Sequence, residues 1–582
     1  MHPSESHEIS VQVAPGRPGR VTRRHALRLV ASGAGLALLA ACAPQQPAAP
    51  AKPADPAKPA APAATTAPAA PAAATAPAAA AKPAEAAKPA KAAKPAAGAA
   101  QPKTGGTLRI ATSADFGARG LDPHSISPTS FDTVWNVYDT LTKYDVTLKP
   151  QPMLAESWDV SSDFKQIKLN LRKGVTFHSG RELTSDDVKW NIERIKDPKS
   201  GAAQLQTMAS WWSAVETPDK NTVILTSDVP RPALFDMLEY MNIADRVTME
   251  GPEAATKAVG TGPFMYGEWV QGDHQRYVKN KNYWQSGKPY LDELYFQIIK
   301  DPQAAVVQFE AGAVDALLNT TVRELARLKA DSKYRATVNQ YTGQHYVMFF
   351  NTTTPPFDKK EVRQAFCYAV DRKRFTESIL QGVEENRNLP WPKHSPAYEA
   401  AKNSHYAQDI EKAKSLLAAA GSPEIDAQIN YSTSDYEPSQ FAQVIQADFA
   451  KLGAKMTNNG VDTAALQDMS MKVNYKGVIL RFSGFASTDP VLLLSTSSYW
   501  RAANNGSGFK SEKYEQLVRA ASSEPDPAKR KQVFADLNTF LLDEAFVTAL
   551  ASQTTSVVSK ANVSGIAHTM HEAVSWTETS LG

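Results

Sequence analysis

Residues Leu171–Val188 read LRKGVTFHSGRELTSDDV, a run that places the end of a strand, a turn and the start of a helix side by side. From Lys168 to Val175 polar and apolar residues alternate, the period of a half-buried strand. Gly174 and Gly180 then bracket Thr176, Phe177 and His178 and mark a turn. Thr184 followed three residues later by Asp187 makes a capping-box pattern, in which short polar side chains satisfy the amides that a first helical turn leaves free. Val188, Ile192 and Ile195 continue on one helical face.

The same mixture recurs outward from this run. Leu108 and Ile110 alternate with polar residues after Gly105 and Gly106, predicting a first strand. Asp358 with Glu361 repeats the capping pattern, followed at helical spacing by Val362, Ala365, Phe366, Ala369 and Val370. Ile410 to Ala420 and Phe441 to Leu452 read as helices stopped by Gly421 and Gly453. Val533, Phe534, Leu537, Phe540 and Leu541 mark a late helix. Interleaved strands and helices without a second long linker predict an α/β body.

The chain has 582 residues, 42% hydrophobic and 21% charged, enough for a sizeable core. Its formal charge of +3 is unevenly divided: about +3 lies before Cys42 and about +4 between Ala43 and Pro102, leaving about −4 on the body. No basic face is massed for phosphate, which argues against nucleic acid as a partner. Two cysteines, Cys42 and Cys367, exclude a disulfide scaffold and a Cys-based zinc site. Cys367 falls off the apolar stripe of its helix and reads as an inert thiol. His178 has no partner at ligand spacing, so structural hydrogen bonding is expected of it; no metal and no cofactor are predicted. Gly260 and Gly262 predict a tight turn before Pro263, without a phosphate-cradling run.

The first 42 residues read as an export signal. Thr22 to Arg28 resembles the twin-arginine pattern, with Ala26 where Phe is usual, so twin-arginine and general secretion both stay open as routes. Leu29 to Ala41 is an apolar run of 13 residues, shorter than the ~20 that span a bilayer as a helix. It ends in Leu39, Ala40, Ala41 and Cys42, which looks like a bacterial lipobox, with the Cys42 thiol as the lipidation site. Two or three acyl chains hold a protein on a membrane at about 0.8 kcal/mol per buried methylene. Residues 43–102 are Ala, Pro, Lys and Thr in low-complexity order, a disordered, polyproline-like spacer.

Pro152–Trp158 (PMLAESW), Leu171–Val188, Gly260–Phe264 (GTGPF), Phe309–Asp315 (FEAGAVD) and Pro356–Val370 (PFDKKEVRQAFCYAV) together resemble, in order, the family 5 extracellular solute-binding proteins, the peptide, nickel and oligosaccharide receptors of ABC importers. The resemblance implies a two-lobed, periplasmic-binding-protein-like fold of type II, in the large three-subdomain class, with a hinge between the lobes. It would divide the body into lobe I at 103–347 with an extra subdomain at about 143–258, lobe II at 348–549, and a return to lobe I at 550–582. It further implies an extracytoplasmic, monomeric receptor. Such a receptor takes a small-molecule ligand between its lobes and presents it to an ABC permease and its ATPase.

In peptide-binding relatives a Trp, then an Asp three residues on, then a later Asp-Pro pair fix the peptide's ammonium group. The matching stretch, Arg481–Pro490, reads RFSGFASTDP, with Phe482 at the Trp position and Phe485 at the Asp position. A buried ammonium needs a carboxylate, so this departure counts against ordinary peptide binding. The ligand-binding residues expected from the resemblance and from the supply of aromatics are Arg481, Phe482, Ser483, Gly484, Phe485, Tyr346, Trp211, Trp212, Trp391 and Trp500, with Tyr346 and Asn351 flanking the hinge. Two other readings fit an anchored α/β body. One is a secreted hydrolase of glycosides or peptides, although no His-Glu-x-x-His or Gly-x-Ser-x-Gly motif is present. The other is a ligand sensor or chaperone without transport.

Overall fold

A computed structural model describes residues 102–582, apart from 116–120, 125–131, 133–134 and 252–255. The export signal, the lipobox and the Ala/Pro-rich spacer up to residue 101 therefore lie outside the described residues.

Two sheets carry the body. The first has seven strands in the order Tyr334–Val338, Ser556–Lys560, Ala316–Leu318, Thr107–Thr112, Glu293–Ile298, His274–Lys279 and Phe264–Val270. Thr107–Thr112 runs parallel to both its neighbours, and the other pairs are antiparallel. The second sheet has five strands in the order Lys455–Val461, Asp426–Ser432, Gly477–Ser483, His345–Phe350 and Val547–Ser552. Its first three strands are parallel and the last two pairings antiparallel. His345–Phe350 is buried at every position, as a central strand covered on both faces must be. A four-stranded antiparallel sheet, built on Ala155–Val160, Gln166–Leu171, Thr222–Thr226 and Ala214–Asp219, packs with helices Ser185–Lys196 and Leu234–Tyr240 around a core from Leu141 to Ile243 that Leu492 joins from the five-stranded side.

The chain passes between the two large sheets twice, through residues 339–344 and 553–555. The expected lobe boundary at 347/348 falls inside strand His345–Phe350, so Tyr346 and Val347 belong to the five-stranded sheet. The boundary at 549/550 likewise falls inside Val547–Ser552.

Local differences from the sequence reading have physical causes. The strand that leads into the quoted region, Gln166–Leu171, stops short of the expected Val175, where Gly174 in the left-handed region (φ 74°) turns the chain. In the Asp358 region the helix starts at Lys360, with Lys359 at the N-cap. The Arg363 guanidinium takes the Phe357 and Asp358 carbonyls at 2.9 and 3.0 Å and holds that turn out of the helix. Cys367 is fully buried in the core of the five-stranded lobe, not off an apolar stripe, and burial raises its thiol to about 11. Gly260 and Gly262 have ordinary φ values. They serve a close approach, since a Cβ at either position would overlap the Val137–Tyr138 backbone. His178 Nε2 bonds the Gly262 carbonyl at 2.9 Å, which fixes the same junction.

Candidate functional site

Parallel strands end their carboxyl edges in loops, and ligand sites of α/β sheets form there. Strand Asp426–Ser432 is followed by Ser434–Pro438, and strand Gly477–Ser483 by Gly484 and Phe485. Both segments line one cavity of about 600 Å³. Its other wall comes from the seven-stranded side, with Asp132, Asn319–Val322 and the tail residues His571 and Glu572, and from Tyr240 of the smaller domain. The linker residues Gln344 and Gln553–Thr555 close its base.

The structure brings together six of the residues expected at the site: Arg481, Phe482, Ser483, Gly484, Phe485 and Tyr346 all line the cavity. Phe485 has φ 68°, unusual for a residue with a Cβ, and its ring packs 6.1 Å from that of Tyr240. Arg481 lies over the Phe482 ring, 5.7 Å from its centre.

The four expected tryptophans lie elsewhere. Trp391 is buried in the core and donates its indole N–H to Asn538 at 2.7 Å. Trp212 is buried in the smaller domain with its indole N–H on Met237 Sδ, and Trp211 stacks under Arg231 there, beside a separate small pocket. Trp500 points inward and bonds His345 Nε2 at 3.0 Å, so its neighbour Tyr499 faces the cavity instead. Asn351 lies beyond the far end of its strand and donates to the Tyr475 carbonyl at 2.6 Å, away from the linkers. Asp489 of the Asp-Pro pair caps helix Pro490–Thr496 and is held by Arg530 at 2.6 and 2.7 Å, a structural role.

Acidic groups that sequence reasoning missed dominate the electrostatics. Asp132, Asp435, Glu437 and Glu572 all line the cavity, whereas Arg481 and His571 are its basic side chains among the described residues. Burial raises Asp132 to about 7 even though the Val574 amide and Asn319 carboxamide donate to it. Burial also raises Glu572, against the amides of Gly343 and Gln344 that bond it at 2.5 and 3.0 Å. Asp435 is raised by burial and partly restored by Arg481, and Glu437 is raised by burial with Asp435 adding repulsion. The signal for the last two was the polar run Thr433–Glu437 after an alternating strand. His571 and Glu572 carried no signal, because only the fold brings the tail to the cavity. No group of three or more potential metal ligands occurs among the described residues. No helix among them is long and apolar enough to cross a membrane.

The model for bacterial extracellular solute-binding proteins, family 5, matches residues 149–505. Heme-binding protein A of Haemophilus influenzae is 30% identical over 68% of this chain and 77% of its own. Di/tripeptide-binding protein 1 of Pseudomonas aeruginosa is 28% identical over 75% and 87%. Among solved structures, the PBP AgaA of A. tumefaciens R10, in complex with agropinic acid, is 28% identical with a TM-score of 0.70, covering 82% of this chain and 99% of that one. The periplasmic binding protein DppA of Helicobacter pylori, in complex with the peptide STSA, shares the fold at 22% identity and a TM-score of 0.71, covering 82% and 98%.

Proposed function

The chain belongs to the bacterial extracellular solute-binding proteins of family 5, and from that premise we propose that it captures a small solute in the cavity between its two large sheets and delivers it to the permease of an ABC importer. The observation that carries this reading is the cavity itself, lined from both sheets and floored by the two linkers that join them. A ligand there touches both halves at once, so it favours the closed arrangement by the contacts that only closure makes. The relatives are receptors for heme and for di- and tripeptides, which supports a solute of that size. The Cys42 lipobox supports tethering of the receptor outside the cytoplasm by acyl chains, with the Ala/Pro-rich spacer giving it reach. It acts as a monomer and needs no cofactor.

The test has two arms. Mass spectrometry of molecules co-purifying with the protein identifies the solute, and uptake of that solute is then measured in cells with and without the gene. Uptake is expected to collapse in the deletion. Unchanged uptake would leave a binding protein that feeds no transporter.

A further inference from the structure

The polar atoms that the cavity leaves unsatisfied describe the molecule that would fill it. Four buried side-chain atoms on its wall have no hydrogen-bond partner: Asp435 Oδ2, Gln553 Oε1, His571 Nε2 and Arg481 Nε. The His571 side chain is only 1% exposed and its Nδ1 is committed to Glu239 at 2.8 Å. Nε2 is therefore the ring nitrogen left for a ligand. Two oxygens, Asp435 Oδ2 and Gln553 Oε1, thus stand as acceptors against one donor, Arg481 Nε. Arg481 does not satisfy Asp435, since their nearest approach is 4.0 Å, beyond hydrogen-bond reach.

Charge points the same way. Of the four cavity acids, Asp132 and Glu572 are already bonded to protein donors, which leaves Asp435 and Glu437 on the wall beside Arg481 to meet a desolvated cation. The rings of Phe482, Phe485, Tyr240 and Tyr499 add apolar and π faces suited to the flank of such a cation.

Resting on the reading of this cavity as the capture site, we propose that its ligand is a small organic cation rich in N–H donors, an amine or guanidine with an apolar flank, whose charged end meets Asp435 and Glu437. Burial already holds both acids above the usual carboxylate range, a strain that an entering cation relieves.

Calorimetry on the whole chain tests this with four probes: agmatine, the dipeptide arginyl-phenylalanine, neutral maltose and the dianion glutarate. At least one cation is expected to bind about tenfold or more tighter than maltose and glutarate. Agmatine ahead of the dipeptide indicates a free amine as the natural source, and the reverse order a basic peptide. Asp435→Asn and Glu437→Gln are each expected to weaken cation binding about tenfold. Both should melt as the parent does, because the Asp435 side chain makes no capping hydrogen bond to helix Tyr436–Ala450 that Asn would lose, and Glu437→Gln keeps an oxygen to accept from Tyr346. Binding of glutarate or maltose as tight as that of the cations, no binding of either cation, or full cation affinity in both variants would overturn the inference. A cavity that takes glutarate would still be a capture site, so the receptor reading stands or falls on the uptake measurement alone.

Discussion

Phe485 concentrates the question of what this site selects. By the motif resemblance it falls at the position expected of an ammonium-pairing Asp, it lines the cavity, and its backbone is held in the left-handed region at φ 68°. A non-glycine residue there costs on the order of 1–3 kcal/mol, and such strain concentrates at functional sites. Phe485→Ala is expected to lower the affinity for the co-purifying solute about tenfold, or about 1.4 kcal/mol, by removing the ring while keeping the strained backbone. Phe485→Gly should bind as weakly as the Ala variant and melt at a higher temperature, since glycine adopts this φ freely. Calorimetry and thermal melts of the pair separate ring from backbone, and unchanged affinity in both would remove the ring from the site. The place of Arg481 to Phe485 on the cavity wall was legible because the resemblance put these residues at the end of a strand facing the cleft. The tryptophans were not, because an aromatic that fills a core and one that lines a cleft look the same in sequence. Trp391 on Asn538 and Trp500 on His345 show why: each buried indole N–H found a partner inside the protein, and the ring followed it inward.

Among the elements, helix Ser185–Lys196 shows how a local signal becomes tertiary structure. Asp187 is fully buried and accepts the Thr184 amide at 3.0 Å, as the capping pattern predicts. It also takes Arg181 in a two-pronged ion pair at 2.6 and 2.9 Å, and the same Arg181 reaches Asp245 at 2.6 Å, tying the helix start to the start of helix Arg246–Glu250. Asp187→Asn keeps one acceptor and loses the charge, so a cost of about 1–2 kcal/mol is expected, discounted for the partly exposed Arg181. Hydrogen exchange should speed up in Val188–Ile195 by about tenfold per 1.4 kcal/mol, with His345–Phe350 unaffected; equal acceleration in both would mean the ion pair serves global stability. Capping patterns and alternation were enough to recover strand Thr107–Thr112, this helix, Ile410–Ala419 and the centre of Pro527–Glu544. They failed where a distant group decided the boundary. Asp358 with Glu361 has the letters of a cap, but Arg363 spends its donors on the carbonyls just upstream and delays the helix. The acids of the cavity were hidden for a related reason, since Asp132, Asp435 and Glu572 come from three distant segments that only the sheet order unites.

At the scale of the whole molecule, the two linkers act as one bonded unit. The Gln553 amide donates to the Gln344 carbonyl at 2.9 Å, the Thr342 hydroxyl to the Gln553 carbonyl at 2.7 Å, and the Asn339 amide to the Thr555 carbonyl at 3.0 Å. Buried Arg387 holds the Thr342 carbonyl at 3.1 Å from the five-stranded side, while Glu572 of the tail holds the amides of Gly343 and Gln344. Gly343 sits between these grips with its backbone against Ala486 and Ser487, where a Cβ would overlap both. That loop carries Phe485 to the cavity, and Thr488 and Asp489 to the Asp236 carboxyl of the smaller domain at 3.2 Å each. A methyl group at 343 would therefore force the linker away from the Ala486–Ser487 backbone on the loop that carries Phe485 to the cavity. Overpacking of this kind costs about 1–3 kcal/mol, against the ~5.5 kcal/mol that shifts a two-state population from mostly open to mostly closed. Gly343→Ala is accordingly expected to weaken solute affinity by up to about a hundredfold. In X-ray scattering it should keep an expanded radius of gyration at solute concentrations that compact the parent. Compaction at the parent's concentration would show that the linker tolerates the methyl, and that closure is governed by the cavity walls and not by the fit of Gly343 against the Ala486–Ser487 backbone.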